Sequence, residues 1–158
     1  MAIQLPKDFI ESIAVELSPI LSKLDRYRKM AVDYKDHLEL NAKMLGEANK
    51  EQPAWYAYYD EKRVELYHMS HFTEMCVDRV KGKLWTILQK NNQYSATKAD
   101  LEYEVKSNDD YFDFYKIQLE VDEVYMLYCS IVKSFEQRGY TLKNLTEIRV
   151  HSMDHDVL

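Results

Sequence analysis

Glycine and proline are scarce in this sequence, with three of each in 158 residues. So few turn-formers exclude a many-stranded sheet and suffice for a handful of long helices, so the expected class is all-α, with one domain as the default for this length. Cysteine is scarcer still: Cys76 and Cys129 stand far apart, in helical patterns, without C-x-x-C spacing, and read as buried free thiols of a reducing compartment. No long apolar run exists. The richest, Val124 to Val132, is too short to span a bilayer, and Met1 to Pro6 lacks both a basic and an apolar signal region. A cytoplasmic protein without a membrane partner is the simplest expectation. No Gly-rich phosphate loop, nucleophile elbow or paired-acid signature occurs, so no enzyme and no cofactor is expected. Positive charge is not in excess either: the formal net charge is -6, which argues against wholesale coating of nucleic acid or anionic membrane, and any anion site must be local.

What is present is helical periodicity. Phe9, Ile10, Ile13 and Leu17 predict a short amphipathic helix, and Ser18-Pro19 then reads as an N-cap with proline at the first helical position. A long helix is expected from there, with a coiled-coil stripe of Ile20, Leu24, Tyr27, Ala31, Tyr34, Leu38, Asn41 and Leu45 and a stop at Gly46. After a polar connector from Gly46 to Pro53, the spacing of Trp55, Tyr59, Leu66, Met69, Cys76, Val80 and Leu84 predicts a second, antiparallel helix. It should fray near Gly82 or continue to about Lys90, with Asn91 to Thr97 a polar turn and Lys98 to Val105 a short helix. Ser107-Asn108-Asp109-Asp110 offers caps and acidic first-turn residues for another long helix. Its seam, Phe114, Ile117, Val121, Val124, Tyr128, Ile131 and Phe135, alternates steps of three and four, stops at Gly139, and is the expected oligomerisation surface. Thr141 should cap a last short helix carrying Leu142, Leu145 and Ile148, with Met153 to Leu158 a frayed tail. The division drawn is 1–106, a helical hairpin with a basic segment at 79–98, and 107–158, an oligomerising region.

Three constellations bear on chemistry. From Arg79 to Ala99 there are five cations, Arg79, Lys81, Lys83, Lys90 and Lys98, and no acid, which leaves -11 for the rest of the chain. Clustered cations release counterions from a phosphate backbone, and Trp85 and Tyr94 in the same stretch offer stacking faces for unpaired bases. The same residues also fit a solvated helix face paired with the acidic stretch Asp100 to Glu123, net -7. Gly82, inside the segment, either lets a phosphate approach the backbone or marks a helix end. Glu65, His68, His71 and Glu74 lie on one helical stripe, and Glu-x-x-His is half of a di-iron site, but no second Glu-x-x-His exists, so an exposed polar face is expected and no metal. Trp55, Tyr56, Tyr58 and Tyr59 could stack bases or form a protein interface, and packing is the expected use.

The C-terminal half carries a resemblance. Ser107-Asn108-Asp109-Asp110, the heptad helix with Cys129, and Gln137-Arg138-Gly139-Tyr140-Thr141-Leu142-Lys143-Asn144-Leu145 resemble the phage UvsY recombination mediators, in which an Arg-Gly-aromatic break precedes a final helix. Val80-Lys81-Gly82-Lys83-Leu84 is similar to that family's segment associated with single-stranded DNA binding. The likeness spans roughly Ser18 to Val150. It departs from the family at a glycine where alanine is common, a lysine where arginine can stand, and a longer linker around Gly46 to Tyr58. The resemblance implies a non-catalytic, ring-like homo-oligomer in the bacterial host cytoplasm, if phage-encoded. It would bind single-stranded DNA and help a UvsX-type recombinase displace the phage single-strand-binding protein. The alternative is a coiled-coil adaptor or scaffold without a nucleic-acid role.

Overall fold

The computed structural model describes residues 4–40, 44–91 and 97–155, apart from the side chains of 153–155. Among these residues there are five α-helices and no strand: α1 Lys7–Met30, α2 Tyr34–Leu38, α3 Leu45–Asn91, α4 Lys98–Lys106 and α5 Asp109–His155. None is long and apolar enough to cross a membrane.

Helix α1 begins earlier than its sequence punctuation predicts and runs straight through Pro19. The proline removes one backbone hydrogen bond, at a cost of about 3 kcal/mol in a helix interior. Burial of Ile13 and Leu17 before it and Ile20, Leu24 and Tyr27 after it offsets that loss, because one unbroken stripe must face the core. Pro19 and Val15, whose carbonyl loses its partner, are both exposed, so water can take the missing bond. The expected continuation to Leu45 does not occur. The chain leaves the helix after Met30, forms the one-turn α2, and is extended at Glu39; Asn41 of the expected stripe lies outside the described residues.

Leu45 and Gly46 open a helix instead of closing one, and the connector expected from Gly46 to Pro53 is the first two turns of α3. Contacts with α5 explain this. Ala48 is buried, the Asn49 amide donates to Thr146 Oγ1 at 3.1 Å, and Gln52 Nε2 donates to the Phe135 carbonyl at 2.6 Å. Its 47 residues make α3 about 70 Å long. Helix α4 stands close to its expected bounds. Thr97 Oγ1 accepts from the Asp100 N–H, and the Asp100 carboxylate accepts from the Thr97 N–H, the reciprocal capping box. Asn108 Oδ1 caps α5 by accepting from the Tyr111 N–H.

Gly139 does not stop α5, and Thr141 caps nothing: its hydroxyl donates to the Gln137 carbonyl one turn back, inside a continuous helix. Arg138 holds this stretch down. The residue is 5% exposed, and its guanidinium donates from Nε to the Leu38 carbonyl and from Nη1 to Gln52 Oε1 at 2.6 Å.

Residue pairs give the helix directions. Glu16 meets Arg79 and Tyr27 meets Glu65, so α1 and α3 run oppositely. Asn49 meets Thr146 and Ser70 meets Asp122, so α3 and α5 also run oppositely. One hydrophobic cluster draws on α1, α3, α4 and α5 and spans the 106/107 boundary. At its centre Tyr27, Tyr59, Tyr128 and Phe135 pack ring on ring, with Tyr59 and Phe135 stacked at 5.0 Å. Buried hydroxyls find partners: Tyr128 donates to the Tyr27 carbonyl at 3.0 Å, Tyr59 bonds His37 Nδ1 at 2.8 Å, and Tyr27 donates to Glu65.

Candidate nucleic-acid interface

The basic segment occupies the last turns of α3 and the first residue of α4. A residue advances 100° round a helix, so a run of cations need not form one stripe. Val80, Leu84 and Leu88 face the core. On that wheel Arg79, Lys83 and Lys90 fall on one flank, toward α1, and Lys81 falls on the other with Trp85. Contacts agree with this split. Arg79 Nη1 pairs with Glu16 of α1 at 2.6 Å, and Lys83 Nζ lies 5.7 Å from the ring centre of Phe9 in α1. Asp78, on the Lys81 side, faces α5, where its charge adds to burial in pushing the Tyr111 hydroxyl up.

A stretch free of acid in sequence is therefore not free of acid in space, since Arg79 is paired with Glu16. Lys81, Lys83, Lys90 and Lys98 are exposed and make no ion pair among the described residues. Lys98, at the first position of α4, adds positive charge where the helix dipole already is positive, and so gives that helix nothing electrostatically. Gly82 lies inside α3 and does not end it, and a methyl group at its Cα would meet nothing within 4 Å. Trp85 is half-buried and packs against the core, leaving only part of its ring for a base. Tyr94 lies outside the described residues.

The seam expected to join subunits is occupied by the chain itself. Phe114, Val121, Val124, Tyr128, Ile131 and Phe135 are buried, Ile117 is half-buried, and the cluster around them is filled by α1, α3 and α4. A heptad stripe demands an apolar partner without stating whose, and the nearest partner is α3 of the same chain. On the opposite side of α5, Phe112, Tyr115, Leu119 and Met126 form an exposed stripe, with Met126 62% exposed.

Three of the four residues of the acid–histidine stripe of α3 are engaged. Glu65 accepts from Lys62 Nζ at 2.7 Å and from Tyr27, which hold its carboxyl below the usual range, and His71 pairs with Glu74 at 3.2 Å. Among the described residues no group of three or more histidine, cysteine, aspartate or glutamate side chains is placed to hold a metal ion. Both cysteines are free; burial, with the Glu16 charge, pushes the Cys76 thiol up, so it resists ionisation.

A second cationic place escapes the sequence reading. Lys23 and Arg26 of α1 and Lys62 of α3 line a cavity of about 260 Å³, together with Tyr27, Met30 and Glu65. Its sequence signal is the run Lys23 to Lys29, with four cations and one acid, yet Lys62 joins only through the α1–α3 packing.

No family model, no curated protein and no solved structure matches this chain.

Proposed function

We propose that this chain is a recombination mediator of the UvsY type: a homo-oligomer that binds single-stranded DNA through the α3–α4 end and helps a UvsX-type recombinase onto strands coated by the phage single-strand-binding protein. The observation that carries the DNA-binding part is the set of four exposed lysines, Lys81, Lys83, Lys90 and Lys98, with no ion-pair partner among the described residues. Lysines free of carboxylates keep their full charge for phosphate and bind backbone without reading sequence. The recombinase and the single-strand-binding protein enter only through the sequence resemblance. Self-association is drawn to the outward stripe of Phe112, Tyr115, Leu119 and Met126, because the inward seam is filled.

Binding of labelled single strands against duplex, measured over a range of salt, tests this reading. Four phosphate contacts set a log–log slope of at most about -2.8 per subunit, and Lys81→Ala with Lys83→Ala flattens it by about 1.4. A folded double variant that binds as wild type, with the same slope, refutes the site. The scaffold reading is favoured by a specific observation, the division of the cations between two flanks of α3. It takes over if single strands do not bind while the chain still associates.

A further inference from the structure

We propose that the groove between α1 and α3 binds a nucleotide unit, its phosphate held by Lys23, Arg26 and Lys62 and its base laid on the apolar floor beside them. This is a separate site from the α3–α4 end. It does not rest on the lysines assigned there.

The groove has two continuous halves that share Lys23 and Glu65. One half is the cavity of about 260 Å³ with three cations against one carboxylate. Lys23 and Arg26 are exposed and make no ion pair among the described residues, although the Lys23 charge helps to hold the Glu65 carboxyl low. Lys62 is bound to Glu65, which also accepts from Tyr27, and lies 3.9 Å from the Glu61 carboxylate, so this network sets the position of the Lys62 ammonium. Two exposed cations from one helix beside a fixed third suit a phosphate, which accepts several charge-assisted hydrogen bonds at once.

The other half is an open, mainly apolar hollow of about 450 Å³ lined by Pro19, Ile20, Met69, Phe72 and His68 besides the shared Lys23 and Glu65. An acyl chain needs an enclosed tunnel to leave water. A flat base needs only one apolar or aromatic face, with hydrogen-bonding groups at the rim for its edges. His68 lines this half and offers such a group. A phosphate clamp beside a shallow apolar floor thus matches the two ends of a nucleotide, supplied either free or as one unit of a single strand.

The test titrates the full chain with adenosine 5′-monophosphate, adenosine, inorganic phosphate and a short oligothymidylate, followed by calorimetry and by amide chemical shifts. The monophosphate should bind at least about tenfold more tightly than adenosine or phosphate alone, with shifts concentrated in residues 18–30 and 61–73. Lys23→Ala with Arg26→Ala should lower affinity about tenfold or more at unchanged thermal stability, while Lys81→Ala with Lys83→Ala leaves it intact. If the oligothymidylate alone binds and loses affinity in the Lys23/Arg26 variant, the strand is the source of the nucleotide. The proposal is overturned if neither probe is weakened by that variant, or if the shifts fall elsewhere. The Lys81/Lys83 variant separates this failure from failure of the α3–α4 site.

Discussion

Replacing each of two interior helix glycines by alanine should have opposite effects on stability. Alanine is favoured over glycine inside a helix by about 1 kcal/mol, chiefly through the conformational freedom glycine loses on folding. At Gly82 the new methyl meets nothing within 4 Å, so the whole gain is available. Gly82→Ala should add about 0.5–1 kcal/mol and raise Tm by about 1–4 °C. At Gly139 the new Cβ would stand 3.1 Å from Gln52 Nε2. That amide cannot yield freely: its nitrogen donates to the Phe135 carbonyl at 2.6 Å, and its oxygen accepts from Arg138 Nη1 at 2.6 Å. Arg138 is buried and its Nη2 already lacks a partner in the structure, while burial lowers its pKa. Loss of one more bond to a charged group costs about 1.5–3 kcal/mol, so Gly139→Ala should be net destabilising by about 0.5–2 kcal/mol. Denaturant melts followed by circular dichroism measure both, and Gln52→Ala completes a cycle. With Gln52 shortened, Gly139→Ala should become stabilising, as at Gly82. A more stable Gly139→Ala in the wild-type background, or a less stable Gly82→Ala, refutes the packing argument.

The filled seam separates folding from association. Val124→Asp, 2% exposed, should unfold the chain, because an unpaired charge in the core costs several kcal/mol. Leu119→Asp on the outward stripe should retain helicity and reduce sedimentation coefficient; the reverse pattern would return the inward seam to an interface. Alkali should open the core through its tyrosines. Burial pushes Tyr59 up to about 12, and raises Tyr27, with its bond to Glu65, and Tyr128 further still. These folded values lie above the ordinary 10.0, so the stability they reflect is complete below that pH and is lost as pH rises toward and through the folded values. Tyrosinate absorbance should show these three ionising only as helical dichroism falls; titration of all thirteen near pH 10 with helicity intact would contradict the buried box.

Much of the secondary structure is written locally. Thr97 and Asp100 cap α4 and Asn108 caps α5, each through side chains within three residues, so short-range patterns suffice to place both starts. The three-four stripe of α5 also identifies which face is buried. Pro19, Gly46 and Gly139 mislead because punctuation is only a local preference. A stripe that must stay against the core on both sides of Pro19, or an Arg138–Gln52 clamp across 86 residues, overrides it through contacts that no window contains.

The candidate sites divide along the same line. Composition alone sets the scarcity of turn-formers, hence an all-helical chain, and the concentration of cations between Arg79 and Lys98. Tertiary structure decided what those cations meet: Glu16, sixty-three positions away, takes Arg79, and helical rotation puts Lys81 on a different flank from Lys83. It also decided that the Phe114 to Phe135 seam is filled from within, and that Lys62 stands beside Lys23 and Arg26. Apolar periodicity specifies that a face must be covered and charge composition that ions are present; only the path of the chain in space sets which partner covers the face and how far apart the charges lie.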